Sequence, residues 1–225
     1  QPNFIPWIGY FYKICHSDVF VFLDTAQYEK NSYADRNTMK ASNAAVQIKL
    51  PVKCLHHTDS YNDVAVKITD YWVDKTLKTL EYNYKKARYF DQIYEDMSIW
   101  LKRSDLSLSE FNSLIITDIC KKMHFETTIR FSRELNIDSA NIQRIIEICK
   151  YFNADTYFSG KGAMDYQNEE IFLKNGIALQ YTDFSHPVYH QLWNKFLPNL
   201  SIVDLLFNEG YENSSMIIKN SGSHE

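Results

Sequence analysis

Within fourteen residues starting at Asp24, the sequence gathers six side chains able to hold a polar substrate: Asp24, Gln27, Tyr28, Lys30, Arg36 and Asn37. They follow the apolar run Val19-Phe20-Val21-Phe22-Leu23, which reads as a buried strand. In open α/β sheets ligands sit beyond the carboxyl ends of strands. Donors, acceptors and both charges together suit a polyhydroxylated or phosphorylated ligand, and Lys53, at the end of the next strand, adds a cation. The competing reading is a solvated loop with incidental ion pairs.

Three other segments carry chemistry-bearing residues. Pro2-Asn3-Phe4-Ile5-Pro6-Trp7-Ile8-Gly9-Tyr10 is a rigid turn leading into a helix, whose first N–H groups offer a site for an anion such as phosphate. Its alternative is a proline-rich turn that packs Phe4 and Trp7 into the core. Ser159-Gly160-Lys161-Gly162 follows another strand; its glycines let backbone approach an anion, although the P-loop spacing is absent and a plain turn fits equally. His186-Pro187-Val188-Tyr189-His190-Gln191 brings two imidazoles, a phenol and an amide together, so His186 or His190 is a candidate general base, against the commoner structural histidine. His56-His57 with Asp59 lacks a third ligand at metal-binding spacing, and no metal site is expected.

The elements that must position these groups are legible from periodicity. Ile8, Phe11, Tyr12 and Cys15 recur at helical spacing, and strands are expected over 18–23, 45–52, 61–68, 127–132, 156–159 and 177–181. Residues 24–45 have loop composition. Helices are expected over 70–84, 89–101, from Ser107 through Met123, 141–152, 169–175 and 200–207. Ser107 and Glu110 form a capping box, and Gly176 and Gly210 serve as stops. Strands alternating with helices at both ends predict an α/β fold, Rossmann-like, with a mostly parallel sheet, flanking helices and a helical middle over about 70–125. One domain is expected over 1–212, followed by a polar tail over 213–225.

Composition narrows the function. A chain of 225 residues with 45% hydrophobic content buries a full core, and a net charge of −4 gives no basic field for nucleic acid. No apolar run reaches the roughly 20 residues of a membrane span. Four scattered cysteines read as reduced thiols in a cytoplasmic protein. The sequence begins without Met, so a short upstream piece is expected.

The opening turn loosely resembles the phosphate-binding turn of HIGH-superfamily nucleotidyltransferases, with Trp7-Ile8-Gly9-Tyr10 in place of the His-x-Gly-His tetrad, so only the glycine fits. Over some 210 residues the landmarks together resemble the WbqC-like family of bacterial surface-polysaccharide clusters. They are Gln1-Pro2 through Phe4, Pro6-Trp7-Ile8-Gly9-Tyr10-Phe11, Asp18 to Asp24 with Gln27-Tyr28-x-Lys30, Arg36-Asn37, Leu50-Pro51-Val52-Lys53 and Asn83-Tyr84-Lys85-Lys86-Ala87. Ser132-x-Glu134-Leu135, Tyr157-x-Ser159-Gly160, Tyr189-x-Gln191 and Pro198 to Gly210 continue the match. Ile5, and Ala34-Asp35 before Arg36, depart from it. Family members begin with Met and a short apolar strand leading into Gln-Pro.

The resemblance implies an acyl- or aminoacyl-transferase, with glycine as one candidate group transferred, that forms an amide on a nucleotide-linked amino sugar for O-antigen or capsule. The donor would be a small carboxylic or amino acid, activated by ATP or carried as an acyl thioester. In this scheme Gly9 and Tyr10 hold phosphate, Arg36 and Lys53 neutralise it, Asp24 and Asn37 orient hydroxyls or the amine, and His186 or His190 removes a proton. Gln1, Gln27, Tyr28, Lys30, Ser159, Gly160, Lys161, Tyr189 and Gln191 complete the binding set. The alternative is a non-catalytic sugar-nucleotide binder or assembly partner.

Overall fold

In the computed structural model, residues 1–42, 44–193 and 195–222 are described. The apolar face predicted for the first helix becomes α1 (Ile8–Cys15), with Ile8, Phe11 and Ile14 fully buried. It packs on α7 (Ile202–Lys219), whose first turns, Ile202 to Phe207, are wholly buried. Ser201 caps α7 by accepting from Val203 N and donates its own hydroxyl to Ile5 O at 2.7 Å, so one side chain joins the two helix starts.

The helical middle is present as α2 (Asp70–Tyr84), α3 (Phe90–Leu101) and α4 (Leu108–Lys122). Thr69 caps α2, and the Ser107–Glu110 capping box opens α4 as expected. Gly210 does not end α7. It kinks the helix at φ +69°, where any Cβ would stand 2.7 Å from the Tyr89 ring, and helix resumes to Lys219. The tail expected to be polar therefore contributes the buried residues Ser214, Ser215 and Ile218; residues 223–225 lie outside the described residues.

The α/β class holds, but the strands form no single sheet. Among the described residues they pair two by two. β1 (Val19–Phe22) runs parallel to β6 (Thr128–Phe131), and β7 (Thr156–Ser159) runs parallel to β8 (Ala178–Tyr181). β2 (Arg36–Lys40) with β3 (Ala45–Lys49), and β4 (Val52–Lys53) with β5 (Ala65–Val66), are antiparallel. A cleft of about 730 Å³ with β1 on one side and β7 on the other keeps the two parallel pairs apart.

The cores divide the same way. Ile146 and Cys149 of α5 (Asn141–Tyr151), Phe172 of α6 (Glu169–Lys174) and Ile177 form a small cluster distinct from the main one. The loop predicted over 24–45 contains β2, whose polar Asn37 and Lys40 are buried together with Met39.

Candidate functional site

The register of β1 and β6 decides where the site lies. Phe22 pairs with Phe131, so Asp24 and Arg133 both stand two residues beyond the last matched pair, at the shared carboxyl edge. The Asp24 carboxyl group is fully buried. Its Oδ1 accepts from Ser132 Oγ at 2.8 Å and from Arg133 N at 3.1 Å, while its Oδ2 receives Arg133 Nη1 at 2.7 Å. A buried carboxylate is tolerated where it is paired and hydrogen-bonded, and here both conditions are met.

Arg133 is pinned by one end only. Nη1 also reaches Asn62 Oδ1 at 3.2 Å, and the guanidinium lies 4.4 Å from the Phe131 ring centre. The side chain keeps 34% exposure, so donors of the fork still face outward. Thr25 extends the site: its hydroxyl meets Ser132 Oγ at 3.0 Å and receives Arg144 Nη1, from the first turn of α5, at 3.4 Å. Two guanidinium groups thus border one strand edge, an arrangement matched to phosphate or carboxylate. The cleft between the parallel pairs reaches this edge at Leu23 and is also lined by Gln1, Tyr10 and Lys13. Burial lowers the Lys13 pKa.

Of the residues predicted from sequence, Asp24 falls in this site, as the group that orients Arg133. The rest of its loop is committed to its own structure. Gln27 Nε2 donates to His57 O at 2.7 Å, and Tyr28 OH donates to Asp35 Oδ2 at 2.9 Å; burial, followed by that hydrogen bond, raises the phenol pKa. Arg36 pairs with Asp35 and reaches Asn31. Asn37 Nδ2 donates to Ile5 O at 2.8 Å and Phe4 O at 3.2 Å, tying the hairpin to the opening turn. Lys30 and Lys53 are exposed.

The opening turn is structural. Phe4, Ile5 and Ile8 are fully buried, Asn112 Nδ2 donates to Pro2 O, and Ile202 N donates to Pro6 O. Gly9 is required by the indole of Trp7, because a Cβ there would lie 2.4 Å from Trp7 Cη2. Tyr10 OH donates to Gln1 O at 2.8 Å, and Tyr61 OH donates to Gln1 Oε1 at 3.2 Å. The side of this glycine on which a Cβ would stand is filled by tryptophan.

Ser159 is buried at the end of β7, Gly160 has open space around it, and Lys161 pairs with Asp183 at 3.2 Å in an exposed contact. Tyr189 and Gln191 belong to a core network. Asp204, fully buried, accepts Tyr84 OH and Tyr189 OH at 2.8 Å each, Gln191 Nε2 donates to Tyr189 OH, and Lys40 Nζ donates to Gln191 Oε1 at 2.9 Å. Burial raises the Asp204 pKa and lowers that of Lys40. His186 has both ring nitrogens engaged: Nδ1 lies 2.9 Å from Pro187 O and donates to it, while Nε2 accepts from Asn199 N at 3.0 Å. Desolvation lowers its pKa, which agrees with a neutral ring. His190 is exposed.

The sequence reading missed Ser132, Arg133 and Arg144. A signal existed, since the carboxyl-edge rule applied to the strand at 19–23 applies equally to the one at 127–132, and Arg133 follows it directly. Arg144 gave none, because it reaches the site only through the packing of α5.

The sequence model of the WbqC-like protein family matches residues 1–216. An uncharacterized protein of Mycobacterium tuberculosis is 32% identical over 215 residues, covering 94% of this chain and 93% of that protein. No solved structure matches the chain.

Proposed function

The chain belongs to the WbqC-like protein family, and from that premise we propose that it binds a nucleotide-linked amino sugar at the carboxyl edge of β1 and β6. One observation carries this reading: a guanidinium held from behind by the buried Asp24 carboxylate, with its remaining donors facing outward beside Arg144. A preoriented fork loses little freedom on meeting a phosphate, and two forks suit a pyrophosphate.

The finer reading is an acyl- or aminoacyl-transfer that forms an amide in surface-polysaccharide synthesis. The sugar amine attacks a carbonyl activated as an acyl-adenylate, made when a carboxylate displaces pyrophosphate from ATP, or as a carrier thioester; the C–N bond forms as adenylate or thiolate leaves. The amine proton passes to water or to the leaving group in this reading, because both ring nitrogens of His186 are engaged. Asp24 is a positioning residue that acts through Arg133.

Calorimetric titration with a nucleotide-linked 4-amino sugar tests the binding. We expect Arg133→Ala to weaken it tenfold or more, as the loss of a charged hydrogen bond of about 1.5–3 kcal/mol implies. Unchanged affinity in Arg133→Ala would refute the site. Mass spectrometry of the same sugar after incubation with ATP and glycine, or with acyl thioesters, separates an enzyme from a non-catalytic binder. The engaged state of His186 favours the binder as the second reading.

A further inference from the structure

A groove of about 540 Å³ lies away from the residues of the β1–β6 edge, at the end of α2. Lys78, Tyr82, Lys85 and Lys86 line it from the helix and the residues just after it, and Leu192 and Trp193 from the segment that passes over them. Its size is that of a small-ligand pocket. Glu81 offsets part of the charge through its contact with Lys85 at 3.0 Å, but both side chains are largely exposed, so an incoming anion can displace that pair at small cost.

Two features set the groove apart from an ordinary solvated helix end. Trp193 has φ +64°, a left-handed conformation that is a real outlier for a bulky residue and is held only where the surroundings impose it. Its indole N–H donates to Asn83 O at 3.1 Å, which fixes the ring against the lysine-bearing end of α2. Asn83, which also lines the groove, is buried and its Oδ1 has no hydrogen-bond partner among the described residues. Strained backbone beside an unsatisfied buried acceptor is characteristic of functional sites.

From the fixed indole, the apolar Leu192 and Tyr82 surfaces and the three lysines, we propose that this groove is a second ligand site, for a compound combining a planar ring with phosphate groups. The ring stacks on Trp193 and the phosphates meet Lys78, Lys85 and Lys86. It is independent of the β1–β6 edge.

ATP is the probe, compared with inorganic tripolyphosphate, which has the charge alone, and adenosine, which has the ring alone. Calorimetry on the intact chain is expected to show saturable ATP binding, tighter than either part. It should weaken tenfold or more in Lys85→Glu/Lys86→Glu and in Trp193→Ala, and persist in Arg133→Ala/Arg144→Ala. Photolabelling with 8-azido-ATP should place the adduct on a peptide carrying Tyr82 or Trp193. Because the two lysines are exposed, their variant should fold normally by circular dichroism even if Trp193→Ala does not. Tripolyphosphate binding as tightly as ATP would overturn the ring-stacking role. ATP binding unaltered by the lysine variant, or abolished by the arginine variant, would overturn the site, whereas failure of the amino-sugar titration with retained ATP binding would count against the β1–β6 reading alone.

Discussion

Two aspartates, both fully buried, divide the polar interior of this protein into contrasting halves. Asp24 hands its charge to a guanidinium that remains a third exposed, so the pair ends at solvent. Asp204 is enclosed by the hydroxyls of Tyr84 and Tyr189, with the buried ammonium of Lys40 held nearby through Gln191. The first arrangement presents donors to something outside; the second spends every donor inward. Burial of a carboxylate therefore says little about function until the far side of its partner is known.

That contrast can be broken experimentally, most severely at Asp204. Replacing it with Ala strips both tyrosines of their acceptor and leaves Lys40 uncompensated, and we expect a loss of about 3–5 kcal/mol. At roughly 2–4 °C per kcal/mol for a chain of this size, the melting temperature should fall by on the order of 10 °C. A smaller loss than that of Asp24→Ala, measured by urea denaturation, would invert the comparison.

Arg133→Ala comes next. Water can reach the site and the Asp24 carboxylate keeps Ser132 and a backbone N–H, so about 1–3 kcal/mol is expected. Ligand affinity should fall tenfold or more. Arg133→Lys keeps the charge but loses the planar fork, and should recover stability better than affinity. Equal recovery of both would remove the case for a bidentate anion site.

A smaller effect is expected at His186. Its pKa is lowered in the fold, so the unfolded chain binds the proton more readily. The stability it contributes is complete above the unfolded value of about 6.5 and is lost as pH falls through the folded value. Thermal melts between pH 7 and pH 5 should slope less steeply for His186→Gln than for the parent chain. Identical slopes would mean that the ring is not held neutral by its surroundings.

The least effect is expected at His190 and Lys53, both exposed, where Ala should change stability by no more than about 0.5 kcal/mol. Amino-sugar affinity should be unchanged in calorimetric titration. Loss of affinity in either would move the site away from the β1–β6 edge.

Local pattern carried much of the architecture. The alternation of hydrophobic residues located α1, α2, α3, α4, α5 and α6 and the strands β1, β6, β7 and β8, and the Ser107–Glu110 box was readable because capping needs only residues three apart. β3 was readable within the strand expected over 45–52, but its hairpin partner β2 was not. Asn37 and Lys40 look like solvent-facing residues, and their burial is satisfied by partners 32 and 151 positions away. Gly210 looked like a helix stop because local rules weigh glycine alone, whereas Tyr89, packed against it, makes the same residue a kink.

The candidate site was half legible. Asp24 announced itself by following a strand, but its role depended on which strand would lie alongside, and parallel pairing of β1 with β6 joins residues more than a hundred positions apart. Sequence by itself determined family membership, through landmarks ordered along some 210 residues, and it determined the α/β class and the capped helices because periodicity and caps act over a few residues. Tertiary structure alone decided that Gly9 serves Trp7, that His186 spends both nitrogens on backbone, that the strands pair two by two, and that Arg133 is the group facing outward. Each of these depends on what lies across the fold, and a buried polar group takes its function from whichever distant partner satisfies it.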